Sequence, residues 1–95
     1  MYASHVSLWE MAIKQRLGKL GELDRPALEW FGHYVAKSGL RELSIAARHL
    51  GAVESLPAKH NDPFDRLLVA QARQEGLSIV TLDELVSQYD VDVVW

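Results

Sequence analysis

The sequence predicts an α/β domain with a parallel sheet flanked by helices. Helix-like and strand-like segments alternate toward the C-terminus, the pattern of a parallel sheet with crossover helices. Residues 77–81 form a compact β-branched run behind Gly76, too short for a helix. The 95 residues are 48% hydrophobic and 24% charged, the composition of a globular protein rather than a disordered or membrane one. A chain of this length buries roughly 60–65% of its unfolded surface. It is read as one domain, residues 1–95, with no repeat, linker or low-complexity tract.

The elements follow in order. Residues 7–17 are expected to be helical, with Ser4 or Ser7 capping the start and Gly18 leaving the end. Leu8, Trp9, Ala12, Ile13 and Leu17 form an apolar stripe at helical spacing. A second helix opens with Pro26 in its first turn, carries Ala27, Leu28, Phe31, Tyr34 and Val35, and stops at Ser38-Gly39. Residues 40–45 read as a short strand. Ser44 suits the cap of a helix over 46–54, which Leu56-Pro57 ends. Asp62-Pro63-Phe64-Asp65 is the sharpest helix start, with Asp62 as cap and Pro63 first inside; that helix should reach Glu75 and exit at Gly76. A strand over 77–81, a brief helix over 83–88 and a final strand over 91–95 complete the chain.

Composition also narrows function. There is no cysteine, which excludes disulfides and thiolate metal sites and fits a reducing compartment. The net charge of −3 argues against an avid general nucleic-acid binder. No apolar run is long enough to span a bilayer, and the first residues lack the layout of a signal peptide. A cytoplasmic location, with no membrane partner, is the expectation.

In a parallel α/β sheet, ligands gather beyond the carboxyl ends of the strands. Asp83 falls there, two residues past Thr81. Asp65 lies in the first turn of the helix preceding that strand, where a carboxylate is favoured. Glu10 interrupts the apolar stretch between Trp9 and Met11, so it must find a polar pocket, a base or solvent. Together Glu10, Asp65 and Asp83 offer an all-oxygen set suited to Mg²⁺ or Mn²⁺. Each also has a structural reading: Glu10 as the i,i+4 partner of Lys14, Asp65 as a helix-start residue and Asp83 as a cap. His60 reads first as a hydrogen-bonding loop residue, and His5, His33 and His49 lack metal-ligand spacing. Lys14, Arg16 and Lys19, with Lys59 and Arg66, suit either a phosphate groove or a solvated face. Trp9, Trp30 and Trp95 read as core or interface.

The block Ser7-Leu8-Trp9-Glu10-Met11-Ala12-Ile13-Lys14, ending in Leu17-Gly18-Lys19-Leu20, resembles a segment of PIN-domain proteins of the VapC toxin type. Leu56-Pro57, His60 and Asp62-Pro63-Phe64-Asp65-Arg66-Leu67-Leu68-Val69-Ala70-Gln71-Ala72 are similar to the middle block of the same subgroup. Glu75-Gly76-Leu77-Ser78-Ile79-Val80-Thr81-Leu82-Asp83 and the terminal run from Tyr89 to Trp95 resemble its last two. These blocks keep family order over nearly the whole chain. The resemblance implies a PIN-like fold and a Mg²⁺-dependent endoribonuclease, the toxin of a type II toxin–antitoxin pair acting on RNA and held by a cognate antitoxin. It assigns metal binding and catalysis to Glu10, Asp65 and Asp83, with Asp62, Thr81, Lys14 and Arg66 as accessory residues.

One departure qualifies that reading. The family opens with a strand ending in an L-D-[TS]-[HN] motif, whose Asp is a metal ligand, and this chain carries no acid before Glu10. The fold is therefore expected to be N-terminally truncated, with divalent binding weak and activity low or lost. The upstream in-frame DNA is expected to encode the motif, Met1 standing at a Val codon used as a start. A missing central strand would bare two strand edges unless another segment or chain fills the gap, and missing upstream helices would uncover Trp9, Ile13 and Leu17, so a homodimer through the Glu10 helix or those edges is expected. The competing reading is a catalytically dead PIN module that binds antitoxin, RNA or a sister chain. A metal-dependent DNase would use the same chemistry.

Overall fold

The computed structural model describes residues 1–18, 25–56 and 62–81. Strand β1 (Tyr2–Ser4) runs directly into helix α1 (His5–Arg16). Helix α2 (Ala27–Ser38), strand β2 (Arg41–Leu43), helix α3 (Ala47–Val53), helix α4 (Pro63–Glu75) and strand β3 (Ile79–Val80) follow. The sheet is parallel throughout, in the order β2-β1-β3. Fold class and flanking helices are as the sequence predicts. The helix over 83–88 and the strand over 91–95 lie outside the described residues.

The centre of the sheet departs from expectation. Tyr2, Ala3 and Ser4 pair with Arg41, Glu42 and Leu43 on one side, and Tyr2 and Ala3 pair with Ile79 and Val80 on the other. The bare edges expected there are therefore filled within one chain, because β1 meets β3 directly. Three residues carry no readable periodicity, so this strand exists through its partners rather than through its own pattern. Ala3 and Val80 are fully covered, as a central parallel strand and its neighbour require. The strands predicted over 40–45 and 77–81 form as Arg41–Leu43 and Ile79–Val80.

Helix ends show why these segments fold as they do. Ser4, not Ser7, caps α1, its hydroxyl accepting from the Val6 N–H at 3.0 Å. Pro26 stands at the N-cap of α2, one place earlier than the first turn. That end is closed by Gln15 of α1, whose side chain accepts from the Ala27 N–H at 2.8 Å and donates to the Arg25 carbonyl at 3.2 Å. Gly39 and Gly76 leave α2 and α4 with φ of 71° and 64°, a left-handed backbone that side chains resist. Ser44 does not cap α3; Ala46 does, with His49 Nδ1 accepting its N–H at 2.9 Å. His49 thus satisfies the Ala46 N–H, half of a capping box, while alanine offers the helix start no side-chain acceptor.

The core lies between the sheet and α2, where Trp30, Phe31 and Val35 pack on Ala3, Val80 and Met11. A smaller cluster joins Val6 to Leu67 and Leu68 of α4. Each large apolar side chain buried this way contributes about 1.5–3 kcal/mol. One detail of the helical stripes is corrected. Leu28 is exposed and Trp30 takes the inward place on α2. On α1 the covered residues are Val6, Ser7, Glu10 and Met11, and Trp9, Ile13 and Leu17 are 48%, 36% and 62% exposed, uncovered as expected of them. The stripe is turned outward because α1 gives its Glu10 side to the rest of the molecule.

Candidate functional site

Two helices rise beyond the carboxyl end of the sheet and meet there. α1 leaves the end of β1 at Ser4 without a linker. α4 precedes β3 through three residues, 76–78, so its N-terminus lies at the end where the strands finish. Ser4 and Gln71 are hydrogen-bonded, which puts the root of α1 level with Gln71 of α4. Val6 then meets Leu67 and Leu68, and Trp9 meets Phe64 edge-on with ring centroids 4.8 Å apart. The helices are therefore antiparallel neighbours. Glu10 is six residues above Ser4, and Asp65 is six residues from Gln71 toward the start of α4. At 1.5 Å per residue, each stands about 9 Å beyond that common level.

Glu10 is the covered carboxylate of this region, only 6% exposed. Lys14, one turn on, donates to its Oε2 at 2.8 Å. Burial pushes the Glu10 carboxyl above its ordinary range; Lys14 opposes that rise, and the charges of Asp62 and Asp65 add to it. The structural and functional readings of Glu10 thus coexist, since the ion pair with Lys14 forms while the α4 acids face the same carboxylate. Asp62 caps α4, its Oδ1 accepting from the Phe64 N–H at 2.9 Å, and Asp65 is exposed in the first turn. Thr81 follows β3 at the carboxyl end of the sheet and is exposed. Arg66 turns toward α3, donating to the Val53 carbonyl at 3.2 Å. Asp83, His60, Lys19, Lys59 and Trp95 lie outside the described residues.

These donors fit a hard divalent cation in kind. They are carboxylate oxygens, and Glu10 is a buried anion crowded by like charge, a condition that a cation relieves. No group of three His, Cys, Asp or Glu side chains placed to hold a metal occurs among the described residues, which do not include Asp83. Ser7 adds a further polar atom. It is wholly buried on the Glu10 side of α1, and its hydroxyl has no hydrogen-bond partner among the described residues.

A polar network beneath this region is absent from the sequence reading. The Ser4 hydroxyl donates to Gln71 Oε1, and Gln71 Nε2 donates to the Ser44 carbonyl at 3.3 Å and to His49 Nδ1 at 3.2 Å. Because Nδ1 accepts, His49 carries its proton on Nε2, which donates to Glu75 at 3.0 Å. Arg48 completes the chain, 2.7 Å from the same Glu75 oxygen, and holds that carboxyl below its usual range with help from His49. Ser4, His49 and Gln71 are fully buried. The signal was there in outline, as a glutamine and a histidine each at a position facing inward, but their partners are 22 to 67 residues away.

No helix among the described residues is long and apolar enough to cross a membrane. The family model of the PIN domain matches residues 1–92. No curated protein and no solved structure matches the chain.

Proposed function

Because the chain belongs to the PIN-domain family, whose members point to a nuclease-like function, we propose that it is a VapC-type endoribonuclease, the toxin of a type II toxin–antitoxin pair. The observation that carries this reading is the meeting of buried Glu10 with the acid-bearing start of α4 at the carboxyl end of a parallel sheet. Glu10, Asp65 and Asp83 would hold Mg²⁺ or Mn²⁺, with Asp62 and Thr81 beside them. A bound divalent ion supplies a water of lowered pKa and offsets charge developing on the phosphodiester. Lys14 keeps the Glu10 carboxylate ionised and oriented. Binding is expected to be weak, since fewer carboxylates than a hard cation prefers leave water to complete its shell.

A second reading has its own support. Trp9, Ile13 and Leu17 expose an apolar strip beside Glu10, which suits a binding module that meets antitoxin or a sister chain. Under both readings we propose a homodimer through α1. The decisive experiment incubates the chain with end-labelled structured RNA, with and without Mg²⁺, beside Glu10→Gln and Asp65→Asn. Slow Mg²⁺-dependent cleavage that both variants lose supports the nuclease. Cleavage that survives both variants overturns the site, preference for DNA overturns the substrate, and RNA or antitoxin binding without cleavage favours the binding module.

A further inference from the structure

We propose that Gln71 is the positioning residue of the acid site: it clamps α4 to the root of α1 at Ser4 and thereby sets the height at which Asp65 meets Glu10. Its three bonds reach three separate segments: Ser4 between β1 and α1, the Ser44 carbonyl between β2 and α3, and His49 on α3. The orientation of the amide is determined by those partners. The Ser44 carbonyl accepts only, so the NH₂ must face it, and the oxygen is left for the Ser4 hydroxyl. Ser4 is bound twice, because it also accepts from the Val6 N–H as the cap of α1. The same oxygen that starts α1 is thus tied to a single level of α4.

The consequence is geometric. Apolar contacts between helices tolerate sliding; a buried amide with every polar atom paired does not. A slip of one residue moves α4 by about 1.5 Å, and a change of one turn by about 5.4 Å, along α1. Either shift breaks these bonds and leaves the buried Ser4 hydroxyl without its acceptor and the buried Gln71 amide unpaired. The acids stand about 9 Å from the clamp along two antiparallel helices, so they are level only while it holds. That this level serves metal-dependent chemistry rests on the nuclease reading above; the clamp itself does not.

The test measures the charge coupling between Glu10 and Asp65. Urea unfolding of the unaltered chain, Glu10→Gln, Asp65→Asn and the double variant closes a double-mutant cycle. The cycle is repeated with Gln71→Met and with Ser4→Ala, the latter leaving the other bonds of Gln71 in place should the first variant fail to fold. Val35→Ala, a core truncation on α2, is the control for lost stability alone. Coupling present in the unaltered chain and in Val35→Ala, but lost with Gln71→Met or Ser4→Ala, is the expected result. Coupling that persists in the clamp variants, or that is absent from the unaltered chain, overturns the proposal. Mn²⁺ titration separates the two ideas: the clamp variants should bind at least about tenfold more weakly, as when supporting partners of ligands are lost. An unaltered chain that binds no Mn²⁺ yet loses coupling on Gln71→Met refutes the metal site while sustaining the clamp.

Discussion

Replacing Lys14 with methionine should destabilise the fold at neutral pH and leave it almost unchanged in acid. The ammonium sits 2.8 Å from a Glu10 oxygen, and the two side chains are 16% and 8% exposed. Coulomb attraction at that distance is about 6 kcal/mol with an effective dielectric of about 20. Desolvation of both ions offsets most of it, and the residual exposure of Lys14 screens more. A hydrogen bond to a charged group nets about 1.5–3 kcal/mol, so a loss of about 2 kcal/mol is expected at about pH 7. For a domain of this size that lowers Tm by about 8–16 °C. Glu10 already has its pKa raised above 4.5 by burial, and removing the lysine raises it further. A group raised in the folded state stabilises below its unfolded pKa and loses that contribution as pH rises through the folded value. The variant should therefore match the parent at about pH 3.5, where Glu10 is protonated and needs no cation, and fall behind as pH climbs. Thermal unfolding followed by circular dichroism at both pH values reads this directly, and Lys14→Met should cost far less in a Glu10→Gln background. An equal loss at both pH values, or in both backgrounds, would show that the lysine contributes by packing alone and would refute the charge argument.

Asp62→Ala should cost about 1 kcal/mol in urea unfolding, because the Phe64 N–H loses its acceptor at the start of α4. Glu75→Gln should destabilise at neutral pH and lose its effect in acid: the Glu75 carboxyl is held low by Arg48 and His49, so its contribution is present above the ordinary carboxylate range and disappears as pH falls through the lowered value. A penalty that stays constant in a pH series would contradict that. Changing Leu17 to glutamine should leave the Tm within a few degrees while shifting light scattering from dimer toward monomer, since this side chain is 62% exposed in the single chain. A parent that is monomeric at micromolar concentration would remove the proposed interface. Calorimetry with Mg²⁺ should give weak binding that Asp65→Asn abolishes, and tight binding would contradict the proposal of a loosely held ion.

What the sequence determined by itself is local. The Asp62-Pro63 start and Gly76 exit of α4, the glycine end of α2 and the Glu10–Lys14 pair are decided within a few residues, by caps, by φ and by the pitch of a helix. The block order from Ser7 to Thr81 likewise carried the family. Pairing and facing were decided only by tertiary structure. Tyr2–Ser4 is a central strand because Arg41–Leu43 and Ile79–Val80 lie on either side, and three residues alone have no pattern to declare it. Trp9, Ile13 and Leu17 share an apolar stripe at helical spacing, but which side of α1 is covered was set by its neighbours: Val6, Ser7, Glu10 and Met11 are buried because the core and α4 lie on that side. The Ser4–Gln71–His49 network was legible only as separate residues for the same reason. A buried polar side chain is permitted only by its partners, and these stand 22 to 67 residues apart in a sequence that records none of their proximity.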